Sequence, residues 1–133
     1  MANSPPFRTS NDLISEALAN LGVLATGQSI SVEDFQTVSE KLDSIFRKLG
    51  ALEIVYVADS DNIPPEWFSD LADIVAGECA TKFGVTADDY VKLVNRGLGG
   101  AGGVRVGAGT AAQSLKIMLR GRPTYEPLRT ESF

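Results

Sequence analysis

Apolar residues recur along this chain with the period of a helix, not the alternation of a strand. Leu13, Ile14, Ala17, Leu18 and Leu21 fall at steps of three and four and predict one apolar helical face. Thr9 and Asp12 precede them at capping-box spacing, in which each side chain accepts from the other's backbone amide. Gly22 is expected to end that helix, because glycine takes the left-handed conformation without a Cβ clash. "LATGQSI" then reads as a loop. The same grammar follows with Ser31 and Asp34 as cap pair and Phe35, Val38, Leu42, Ile45, Phe46 and Leu49 as the apolar stripe. Arg47 and Lys48 suit the negative end of that helix, and Gly50 is expected to stop it.

"EIVYV", Glu53 to Val57, is β-branched and aromatic and predicts one extended segment or half of a small hairpin. Pro65 suits the first turn of a third helix. Phe68, Leu71, Ala72, Val75, Ala76, Cys79 and Phe83 form its buried face, and Ala72, Ala76 and Ala80 allow close approach. Gly84 ends it. A fourth helix starts at Thr86 with Asp89 as its capping partner and Tyr90, Val91, Val94 and Leu98 as its apolar face. A fifth covers Thr110 to Leu119, with Leu115, Met118 and Leu119 on one side. The fold class is all-α: a small bundle of four to five helices with a short extended segment and an extended C-terminal arm. Residues 1–96 form the bundle core, 97–109 a glycine-rich loop, 110–119 the last helix and 120–133 the arm.

At 133 residues with 44% apolar and 22% charged positions, the chain is long enough for one ordinary globular core. No apolar run approaches the ~20 residues that span a bilayer, so no membrane partner is expected. The opening "MANSPPFRTSND" lacks the basic and apolar regions of a signal peptide. The expectation is a protein kept in the cytosol or built into something assembled there. The chain has no histidine and one cysteine, Cys79. That removes Ser-His-Asp triads, Cys-His pairs, histidine-based zinc sites and internal disulfides. Carboxylate, lysine or phosphate-cradle chemistry would remain. Net charge is −5, unevenly spread: residues 1–95 carry six basic and fifteen acidic groups, residues 96–133 six basic and two acidic. An acidic body with a basic tail suggests that the tail meets an acidic surface, its own neighbour or another protein, with nucleic acid as the other target.

Seven glycines lie in "GLGGAGGVRVGAG", and Gly97, Gly99 and Gly102 spell G-x-G-x-x-G. A dinucleotide cradle needs a strand before the first glycine and an acid about 20 residues on. Here the preceding segment reads as helix, and Glu126 on a proline-rich tail is the nearest acid. The run is expected to be a flexible linker, or a loop that orders against a partner, and to bind no nucleotide. Glu66, Asp70 and Asp73 share one helix face, but helical di-metal sites add a Glu-x-x-His and none is present, so a solvated face is expected. Cys79 reads as a small core residue. Trp67 flanks the third helix's buried face, either as a core edge or as a partner anchor. No catalytic, cofactor-binding or metal-ligating residue is assigned. The tail carries the partner-binding candidates: Tyr125, Pro127, Leu128 and Phe133 as apolar anchors among Arg120, Arg122 and Arg129. Apolar and arginine anchors on an extended arm are what a docking peptide needs.

"NDLISEALANLGVLATGQSISVEDFQTVSEKLDSIFRKLG" resembles the opening of the head-to-tail adaptors of tailed bacteriophages, also called head-completion, connector or tail accessory factor proteins. The shared pattern is a short helix through Asp12, Leu13, Ile14, Ala17, Leu18, Leu21 and Gly22, a loop, and a longer helix from Leu42 to Gly50. "PPEWFSDLADIVAGECATKFG" is similar to the family's third helix and "RGRPTYEPLRTESF" to the closing arm of some members. The glycine run departs from the family, many members of which are more continuously helical there. The resemblance implies a structural protein of the virion neck, assembled in the host cytoplasm and not an enzyme. Copies would form a ring, usually of twelve, below the portal protein. The ring would extend the DNA channel, pass DNA without sequence preference, and receive tail or nozzle proteins. No catalytic residue set carries over. An acidic body suits a channel along which DNA slides. The alternative is a small helical DNA-binding regulator, which should concentrate arginine and lysine on one recognition helix. The acidic first and third helices weigh against it.

Overall fold

The computed structural model describes residues 8–23 and 29–120, the side chain of Arg120 excepted. Five α-helices form: α1 Ser10–Asn20, α2 Val32–Ala51, α3 Pro65–Cys79, α4 Ala87–Arg96 and α5 Thr110–Arg120. A 3-10 turn, Ala80–Phe83, continues α3. The protein is all-α, and among the described residues the β-type pairing is one isolated antiparallel bridge between Arg8 and Ile63. "EIVYV" is therefore not a hairpin strand. Ile54 and Val55 turn into the core, whereas Tyr56 is 81% exposed.

The helix starts follow from their caps. Thr9 Oγ1 accepts the Asp12 amide at 3.3 Å while the Asp12 carboxylate accepts the Thr9 amide at 3.2 Å, a complete capping box. Ser31 accepts from the Asp34 amide at 3.1 Å on α2, and Thr86 from Asp89 at 3.2 Å on α4. Each hydroxyl satisfies an amide that has no partner within its helix. α3 has no side-chain cap, and Pro65 stands in its first turn, where a missing amide costs nothing.

The helix ends divide. Gly22, φ +78°, closes α1 as expected: its amide donates to Ala19 and the Val23 amide to Leu18. α2 departs from the sequence reading, because it runs through Gly50 to Ala51 and the left-handed residue is Glu53, φ +58°. Gly50 has another role. A Cβ there would stand 3.3 Å from the Tyr56 ring, so the glycine lets the aromatic lie against the helix backbone.

α3 touches each of the other four helices, while α1 also meets α2 and α4 also meets α5. Its composition permits this: Phe68, Leu71, Ala72, Ile74, Val75, Ala76, Gly77 and Cys79 are all buried, so the apolar surface reaches around most of the helix. Leu13, Ile14 and Leu18 come from α1, Val38, Leu42, Ile45 and Leu49 from α2, and Ala111, Ala112 and Leu115 from α5. Each large aliphatic chain among them contributes about 2 kcal/mol by leaving water. On α4 the buried pair is Leu93 and Val94, while Val91, expected inside, is at the surface.

Candidate functional site

The glycine run is a folded loop, not the flexible linker its composition suggests. At its base Leu98 is buried, and its carbonyl accepts the amides of Gly107 at 2.8 Å and Gly109 at 3.1 Å. The Gly99 amide donates to Val94 at 2.7 Å, and Gly100 to Val104 at 2.9 Å. From α5, Lys116 Nζ donates to the Gly107 carbonyl at 2.8 Å, and Gln113 donates to Ala108 at 3.1 Å.

The glycines are required by what they touch. A Cβ on Gly109 would collide with the Gly97 carbonyl, where the two ends of the loop cross. A Cβ on Gly97 would stand 2.7 Å from the Asp73 carbonyl and 2.8 Å from Ile74 Cα. Gly77 presses on α4 in the same way, 2.9 Å from the Leu93 carbonyl. The alanines that the sequence reading placed at close approach, Ala72, Ala76 and Ala80, are buried, and Gly77 and Gly97 add backbone contacts that it did not foresee. The loop follows a helix, and five of its glycine amides already donate to carbonyls, an arrangement that closes a chain on itself.

Of the α3 carboxylates, Glu66 is exposed, while Asp70 and Asp73 are half-buried. Asn20 of α1 donates to Asp73 Oδ1 at 3.2 Å. Burial raises the Asp73 carboxyl above its ordinary range; Arg96 opposes this, while Asp70 and Glu16 add to it. Asp73 thus sits where α1, α3 and α4 meet. Among the described residues, no three acids or cysteines are grouped to hold a metal. Cys79 is fully buried, and burial pushes its thiol up to about 11, the setting of an inert core residue.

Trp67 lies on a groove that the sequence reading did not foresee. The cleft is open and largely apolar, about 370 Å³, lined by Glu53, Ile54, Val55, Tyr56, Trp67 and Leu119. Its walls come from the turn after α2, the first turn of α3 and the last turn of α5. A second open groove, about 640 Å³, runs along α2 and shares Tyr56 with the first; Asp43, Phe46 and Arg47 line it. The sequence signal for the first groove was Trp67, at the edge of the buried face of α3; Tyr56 carried none.

Arg120 is the last residue of α5. The other partner-binding candidates, Arg122, Tyr125, Pro127, Leu128, Arg129 and Phe133, lie outside the described residues. No described helix is long and apolar enough to cross a membrane. Comparison with known proteins finds no matching family model, no matching curated protein and no matching solved structure.

Proposed function

We propose that this protein is a head-to-tail adaptor of a tailed bacteriophage: a structural component that docks below the portal, joins identical copies in a ring, and links the DNA channel to tail or nozzle proteins. The observation that carries the reading is the "DLISEALANLG" helix followed by the longer helix that contains "FRKLG". Those segments are α1 and α2 of a small bundle, both capped by their own side chains and both packed on α3. A helical bundle whose described body is acidic suits a wall along which DNA passes, since a basic wall would hold the phosphates. Arg122, Tyr125, Leu128 and Phe133 are the anchors offered to the portal or to a neighbouring copy.

The test uses DNA-filled heads that bear a portal but lack this protein. Added purified protein should bind them, retain their DNA and make them competent for tail joining. Heads that bind none of it and go on leaking DNA would remove the adaptor reading.

A further inference from the structure

The apolar groove beside Trp67 is bounded on one side by Leu119, one residue before α5 ends. Thirteen residues follow Arg120, so the rest of the chain starts at the rim of this groove. Gly121 and Pro123 are the poorest helix formers, which favours the chain leaving the α5 axis there. Tyr125, Pro127 and Leu128 then come within a few residues, each of the apolar type the groove would receive. Tyr125 is six residues past Leu119, within roughly 20 Å of extended chain. Glu53 at the groove edge offers a charge partner to Arg122 or Arg129. A tethered segment also has an effective concentration in the millimolar range, which a free peptide seldom matches.

We propose that residues 121–133 of the same chain occupy this groove in the free protein, with Tyr125 and Leu128 seated against Tyr56, Trp67 and Leu119. The contact is a latch: it covers the apolar face until something else takes the segment. It stands whether or not the adaptor reading does, because it rests on the groove and on where α5 ends.

Trp67 is the only tryptophan in the chain, so its emission reports the groove directly. The full chain is compared with a full-length Tyr125→Ser/Leu128→Ser variant, with circular dichroism to verify that both are equally helical. The latch requires the variant's emission to shift to longer wavelength and its acrylamide quenching to rise, with wild-type emission unchanged on dilution. A second measurement needs no anchor removed: a Ser132→Cys chain, dye-labelled there because Cys79 is buried, should show strong energy transfer from Trp67 at every protein concentration. Identical emission in both chains, or transfer no higher than in urea, overturns the latch. A signal that fades on dilution as the mass falls also overturns it, and assigns the groove to a second copy.

Discussion

The Ile54 amide donates to the Leu49 carbonyl at 3.0 Å, and the turn that this bond closes is formed by Glu53, not by a glycine. The Glu53 amide completes the motif by donating to Gly50 at 3.0 Å. This is the Schellman ending, with Ile54 buried after it and Leu49 buried before it. Left-handed backbone costs a residue with a Cβ ~1–2 kcal/mol, part of which glycine returns through its freer unfolded chain. Glu53→Gly is therefore expected to stabilise the fold by about 0.5–1 kcal/mol. Urea unfolding checks it: the midpoint should rise at unchanged slope.

Gly97→Ala is expected to cost about 2 kcal/mol or more, because its methyl group meets α3 backbone, which cannot swing aside. Gly103→Ala is the contrast. Nothing lies within 4 Å of its Cβ position, but φ is +87°. Its cost is conformational alone, about 1 kcal/mol. Equal losses in the two variants would mean that α3 does not press on the loop base.

Asp73→Asn is expected to stabilise the protein at neutral pH. Burial raises the Asp73 carboxyl above 3.8, so the folded state holds this proton where the unfolded chain has released it. The contribution of this group to stability therefore falls as pH rises from 3.8 through the raised value. The amide keeps an acceptor for Asn20 and removes the buried charge. Solvent screening and the lost attraction of Arg96 hold the gain below about 1 kcal/mol. Denaturation across the acid range should show the advantage shrinking as pH falls through that window.

Cys79 is expected to react with a disulfide reagent only through unfolding. Its burial and its thiol near 11 leave almost no accessible thiolate at pH 8. The labelling rate should climb with urea in step with the unfolded fraction. Rapid stoichiometric labelling in native buffer would contradict the position of Cys79 on α3.

The helix starts were legible because a cap is a local object: Thr9 with Asp12, Ser31 with Asp34 and Thr86 with Asp89 lie three residues apart. The α2 ending was not, since a glycine at position 50 advertises a stop and nothing local marks Glu53 for it. The loop geometry was illegible for a different reason. Whether glycines mean freedom or close contact depends on what lies across from them, and Gly97 faces Asp73 and Ile74 from a distant part of the chain. The groove depends likewise on three segments meeting. Trp67 alone could be suspected from sequence, whereas Leu119 joins it only because α5 packs back on α3.

The place of α3 has a consequence for how the molecule opens. The α1–α2 pair and the α4–α5 pair meet chiefly through it. Each pair therefore has the makings of a separately opening unit, one able to exchange its amides with solvent while the other half stays shut. Amides in the middle of α3 exchange only when both units let go, so they become the slowest clock in the protein. The crossing of Gly97 and Gly109 ties α5 to α4, which makes those two helices rise and fall on one timescale.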